Sequence, residues 1–164
     1  MKRIVMVRHA KAVPYGYDDD FNRDLRKRGL TDAEKLGEEM NKRQIKPDLI
    51  VASPAKRALK TASIFAKKLG YEIGKIVQKE DIYHGLSVSE FMEMINGLQN
   101  EASTVYFFGH NPSFHYFTVY LVEKFTGDMP TCSTVVIDFM VDSWKDVQPY
   151  AGAVQFQLIP KMFR

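Results

Sequence analysis

Two stretches of this 164-residue chain share one design, and together they constrain its fold more than any other feature. Residues 48–52, apolar at Leu49-Ile50-Val51, stop at Ser53-Pro54, and residues 104–109 stop at His110-Asn111-Pro112. Each reads as a short strand that ends in a polar cap residue and a proline and then leads into a helix. Proline is at home in the first helical turn because its missing N–H would have no partner there. A third apolar run, residues 3–8, ends as abruptly in the basic pair Arg8-His9. Strands that alternate with helices in this way form a parallel sheet joined by crossovers.

The intervening segments fit that plan. Residues 13–28 are polar, without either period, and read as a loop. Thr31-x-x-Glu34 is a capping box that predicts a helix from Thr31 to about Arg43, with Ala33, Leu36, Gly37 and Met40 on one face. The helix expected from Ser53-Pro54 carries an apolar stripe of Ala58, Ala62, Phe65, Ala66 and Leu69 and stops at Gly70. Residues 73–78 form a weaker strand. A second box, Ser87-x-x-Glu90, opens a helix with Val88, Phe91, Met92 and Ile95 inward and Gly97 at its end. After Pro112, the spacing of Phe114, Phe117, Thr118, Leu121, Val122 and Phe125 puts all six on one helical face. Residues 134–140 and 153–159 alternate as strands and are expected to pair antiparallel at one side of the sheet, joined by a polar loop holding Trp144 and Pro149. The expected architecture is α/β: a three-layer α/β/α sandwich with a mixed, mostly parallel sheet in a single domain over residues 1–164.

Charge and cysteine content limit the partners. Basic residues outnumber acidic ones by 23 to 20, scattered and without aromatic interleaving, so nucleic acid is not expected, while anionic ligands or an acidic protein are mildly favoured. Cys132 has no second cysteine to pair with, and Met1 leads into a charged strand rather than an apolar leader, so a cytoplasmic protein is expected. No apolar run approaches the roughly 20 residues of a spanning helix, so no membrane is expected, and the protein is expected to be a monomer.

In open α/β sheets the ligand crevice lies beyond the carboxyl ends of the strands. Three groups are delivered there: Arg8-His9, Ser53-Pro54 with Arg57 one turn on, and His110-Asn111. A helix start and two guanidinium forks make an anion site suited to a phosphoryl group. The arginines also disfavour the imidazolium form of His9, which leaves it a neutral nucleophile. Zinc held by His9 and His110 with His84 or His115 lacks any two-histidine helical spacing. The run Asp18-Asp19-Asp20 lacks the glycine and glutamate of a calcium loop and reads as a solvated loop. No metal or cofactor is expected.

The residues Val7-Arg8-His9-Ala10-Lys11-Ala12, Arg23-x-Leu25 with Gly29-Leu30-Thr31-x-Ala33, Ser53-Pro54-x-x-Arg57-Ala58-x-x-Thr61-Ala62 and Gly109-His110-Asn111-Pro112 resemble, in order, the motifs of the histidine phosphatase superfamily, and within it the SixA-type phosphohistidine phosphatases. The resemblance implies a phosphoglycerate mutase-like fold lacking the extra helical lid of mutase-type relatives. It implies that His9 takes the phosphoryl group as a covalent intermediate, that Arg8, Arg57 and His110 bind the phosphate with Arg23 joining them, and that Asn111 lies beside it. Relatives acting on phosphate esters use a carboxylate after the third strand, for which Asp81, and after it Glu80, are the candidates here. Lys11 is expected at the rim. The expected activity is hydrolysis of phosphohistidine on a protein, such as a phosphotransfer domain or phosphocarrier. The alternatives are a broad small-molecule phosphomonoesterase and a phosphate-recognition module without turnover.

Overall fold

Alternation along the central strands sorts the core into two halves, one on each face of a single sheet. The computed structural model describes residues 1–16 and 19–164. Its elements run β1 (Lys2–Arg8), α1 (Lys27–Lys42), β2 (Leu49–Ala52), α2 (Lys56–Leu69), β3 (Val77–Gln78), α3 (Glu80–His84), α4 (Val88–Asn96), β4 (Thr104–Gly109), α5 (Ser113–Leu121), β5 (Thr134–Phe139) and β6 (Ala153–Leu158). The strand order is β3-β2-β4-β1-β5-β6. The first four of these run parallel to one another, while β5 is antiparallel to β1 and β6 antiparallel to β5, at one side of the sheet.

Successive residues of a strand point to opposite faces. Ile4 and Met6 of β1 join Phe107, Phe91, Phe114 and Phe117 beneath α4 and α5, whereas Val5 and Val7 join Phe108, Phe65, Leu36 and Met40 beneath α1 and α2. Helices therefore cover both faces, which makes the three layers. Each such fully buried side chain contributes about 1.5–3 kcal/mol of burial free energy.

Several boundaries differ from the sequence reading, and tertiary contacts account for the differences. The first helix starts at Lys27, a turn before the Thr31 box, and the Thr31 hydroxyl instead donates to the Lys27 carbonyl at 3.2 Å. Its entrance is held by a bridge between Ala12 and Leu25 and by the Arg26 N–H on the Lys11 carbonyl at 2.9 Å. Gly29 lies so close to that carbonyl that a Cβ would collide with it. The second helix starts at Lys56, two residues after Pro54 and with Ala55 at its N-cap, while the Ser53 hydroxyl still accepts the Ala55 N–H at 3.2 Å. The fifth ends at Leu121, where Val122 turns extended and bridges Gly152, so Phe125 packs on the core from a loop. Residues 73–78 divide into a 3-10 turn, Ile73–Lys75, and the two-residue β3. Trp144, placed by sequence in a polar loop, is fully buried and its indole N–H donates to the Ala102 carbonyl at 2.7 Å.

The Ser87–Glu90 capping box is formed at the start of α4, and Gly70 ends α2 at φ 73°, a left-handed conformation that favours glycine. Among the described residues no helix is long and apolar enough to cross a membrane. The segment between β3 and β4 carries α3 and α4, and the apolar side of α4 packs into the core, so among the described residues no further helical layer covers the strand ends.

Candidate active site

Sheet register alone brings the three motif ends together. Arg8 pairs with Gly109 and Ala52 with Phe108, so β1, β2 and β4 end level with one another. The next residue of each strand is then pinned: the His9 N–H donates to the Gly109 carbonyl at 2.9 Å and the Ser53 N–H to the Phe108 carbonyl at 3.0 Å. His9, Ser53 and His110 thus share one edge.

His9 is buried, with 9% of its surface exposed. Its Nδ1 lies 2.8 Å from the Ala10 carbonyl, which can only accept, so Nδ1 carries the proton and Nε2 keeps its lone pair. Burial pushes the imidazole pKa down to about 4, and the Arg57, Arg8 and Arg23 charges push the same way against the pull of the Ala10 bond. Burial, more than the arginines credited by the sequence reading, keeps the ring neutral. Thr61 accepts the Ala10 N–H at 3.0 Å and donates to the Arg57 carbonyl at 2.7 Å, tying the loop after β1 to α2.

His110 sits 5.4 Å from His9 between ring centroids. Its Nε2 is 2.8 Å from the Ser53 hydroxyl, which also accepts the Ala55 N–H at 3.2 Å. The arrangement that satisfies all three groups has Ser53 donating to Nε2, which leaves the proton of a neutral His110 on Nδ1. Burial, with His9 and Arg57 adding to it, drives this imidazole down to about 3. The serine read from sequence as a helix cap therefore also sets a tautomer.

The arginines are held from behind. Arg8 donates from Nη1 to the Met129 carbonyl at 3.0 Å, and Asn111 donates to the same oxygen at 2.9 Å. Arg57, 6% exposed, donates from Nη1 and Nη2 to the backbone and carboxylate oxygens of Asp20 at 2.7 and 3.2 Å. The other Asp20 oxygen receives Arg23 Nε at 3.1 Å and Nη2 at 3.0 Å, and Arg23 Nη1 donates to the Val13 carbonyl. Tyr83 completes the cluster by donating to Asp20 at 2.8 Å. Partial burial works against the Asp20 charge, but Tyr83, Arg57 and Arg23 outweigh it and hold the carboxyl below the usual carboxylate range.

Four buried polar atoms remain without a partner among the described residues: Arg8 Nε, Arg57 Nε, His110 Nδ1 and Asn111 Oδ1. Three are N–H donors, which is the complement an oxyanion requires. Arg8, His9, Arg23, Arg57, His110 and Asn111 line one polar cavity of about 270 Å³, with Lys11 at its rim beside Ala12 and Thr131. The structure thus brings together every anion-binding residue expected from sequence.

Asp81 is the exception. It lies exposed on α3 away from that wall, and Glu80 pairs with His84 at 3.4 Å, also exposed. Ile82 is the residue of α3 that enters the core, which turns Asp81 outward and Tyr83 toward Asp20. The carboxylate near the site comes instead from the acidic run before α1. Asp20 belongs to that run, so the reading of a merely solvated loop is corrected there, while Asp18 lies outside the described residues. The Met129 carbonyl had no sequence signal, since a backbone oxygen serves equally from any residue type. Among the described residues no group of three or more His, Cys, Asp or Glu is placed to hold a metal ion.

Comparison with known proteins agrees with this geometry. Residues 4–86, just over half the chain, match the family model of the histidine phosphatase superfamily (branch 1). The mitochondrial serine/threonine-protein phosphatase Pgam5 of Drosophila yakuba is 37% identical over 76 residues, 46% of this chain, but that match spans only about a quarter (26%) of the relative's own length. The fold superposes on the protein histidine phosphatase SixA complexed with tungstate at a TM-score of 0.85, covering 99% of each chain at 17% identity. It superposes on the putative phosphohistidine phosphatase SixA of Agrobacterium tumefaciens at 0.80, covering 97% of this chain and 98% of that one at 24% identity. At such identities the likeness concerns the fold. With the family match and the assembled site, the conclusion is plain: the chain belongs to the histidine phosphatase superfamily.

Proposed function

We propose that this phosphatase removes phosphoryl groups from phosphohistidine on other proteins, through a phospho-His9 intermediate. The observation that carries the reading is a wide groove of about 990 Å³ that shares Arg8 and Asn111 with the phosphate-sized cavity and is lined by Pro112, Tyr116, Met129, Ile159 and Met162. His115, Asp128, Gln157 and Lys161 also line it, so the groove offers both apolar and polar surface on the scale of a polypeptide segment, of which a single sugar would fill only a part. The names of the SixA relatives support the same substrate class.

In the proposed reaction, His9 Nε2 attacks phosphorus in line while Arg8, Arg57 and His110 Nδ1–H hold the equatorial oxygens. A phosphohistidine protonated on its other ring nitrogen loses its P–N bond and departs as neutral imidazole, with no proton needed from the enzyme. Water then attacks phospho-His9, the second P–N bond breaks, and the water's proton passes to a phosphoryl oxygen. Asp20, held ionised by its partners, suits the support of arginines better than proton donation.

A second reading, hydrolysis of phosphoserine or phosphothreonine on a protein, is favoured by the identity with Pgam5. The test compares kcat/KM on a phosphohistidine protein, a phosphoserine protein and a panel of sugar phosphates. Preference for the phosphohistidine protein supports the proposal. Efficient turnover of a sugar phosphate with none of phosphohistidine would overturn it, and preference for phosphoserine would establish the second reading.

A further inference from the structure

Lys11, Arg26, Lys27 and Arg28 line one cavity of about 430 Å³ next to the phosphate cavity, and Lys11 belongs to both. All four are exposed, and among the described residues none enters an ion pair. The carboxylates nearest in sequence are engaged elsewhere: Asp24 with Lys56 and Lys60, and Asp32 with Arg164.

This cluster sits where helix physics disfavours it. Lys27 and Arg28 occupy the first turn of α1 behind Arg26, at the positive end of the helix dipole, with no acidic residue in that turn and no side-chain cap. Local preference is overridden by the Ala12–Leu25 bridge and the close approach at Gly29, which press the start of α1 against the loop that follows His9. Departures from local rules of this kind concentrate at functional surfaces.

We propose that this basic hollow docks the acidic face of the protein whose phosphorylated residue enters the His9 cavity. The inference rests on the protein-substrate reading above and adds the charge of the partner. Among the described residues no aromatic side chain lines this cavity with the four cations, which fit carboxylates on a folded surface better than a nucleic acid strand that would also require stacking side chains.

The test uses two phosphohistidine peptides identical except for flanks, one rich in glutamate and one in lysine, measured for binding to the His9→Ala protein, which cannot turn them over. At low salt the glutamate-flanked peptide should bind about tenfold tighter, with the preference vanishing near 0.5 M salt. In the added double variant Lys27→Glu/Arg28→Glu the preference should disappear while affinity for inorganic phosphate stays unchanged. Equal binding of the two peptides, a preference that survives the charge reversal, an equal loss of phosphate affinity, or tighter binding of a single-stranded RNA than of the glutamate peptide would each overturn the proposal. Charge-dependent binding without hydrolysis by the unaltered enzyme would sink the phosphohistidine reading and leave the docking surface standing.

Discussion

Replacing Asp20 by asparagine should weaken phosphate binding, although it removes a negative charge from beside an anion site. Both carboxylate oxygens of Asp20 act only as acceptors, one for Arg23 and the other for Arg57 and Tyr83. An asparagine keeps one acceptor and turns an NH₂ toward the other set of donors, so one side of the clamp opens. If Arg23 swings away, the cavity loses one guanidinium together with one carboxylate, and its net charge is unaltered. What remains is lost orientation. A charge-assisted hydrogen bond contributes about 1.5–3 kcal/mol, and partial solvent exposure of Asp20 reduces this to about 1–2 kcal/mol, or roughly 5–30-fold in phosphate affinity. Calorimetric titration with inorganic phosphate reads it directly. Where the lost orientation is that of Arg23, Asp20→Asn adds little to Arg23→Ala in a double-mutant cycle, and any additional loss measures the part carried by Arg57. Tighter phosphate binding in Asp20→Asn would refute the reasoning and identify the carboxylate as a competing anion.

Three further outcomes follow from the same contacts. Ser53→Ala strands the buried His110 Nε2, at a cost of about 1–3 kcal/mol in chemical denaturation, and nitrogen NMR should show the Nδ1–H tautomer of His110 losing its dominance. His9 and His110 have folded pKa values depressed to about 4 and about 3, so the unfolded chain binds more protons than the native one below about pH 6.5. Their contribution to stability is present above that pH and is lost as pH falls toward 4, by roughly 2 kcal/mol per group at pH 5, and denaturation midpoints across this range should flatten in a His9→Gln variant. Gly29→Ala forces a methyl group into the Lys11 carbonyl and should cost about 2–4 kcal/mol of stability, read as a lowered denaturation midpoint.

Much of this could be read from sequence because the site is assembled by regular elements. Where a parallel strand ends, the next residue is committed to the sheet edge, so Arg8-His9, Ser53 and His110 converged once the strands were recognised. Arg57 followed from its place in the first turn of α2. Two kinds of feature were not readable. Helix starts moved wherever a long-range contact outweighed a local cap, as at Lys27, where a backbone bridge and Gly29 set the entrance and the Thr31 box was passed over. The choice of carboxylate also depended on packing: the insertion of Ile82 into the core turns Asp81 away and Tyr83 inward, and no local signal distinguished Asp20 within its acidic run. The tautomer of His110 needed the position of Ser53 as well as its identity.

The measurement that tests the central claim most directly is quenched-flow labelling with a phosphohistidine protein carrying radioactive phosphate. His9 should carry a transient label that is stable in base and labile in acid, formed and lost at rates that account for turnover, and His9→Ala should carry none and release no phosphate. Turnover with no label on His9, or turnover that persists in His9→Ala, would contradict the account.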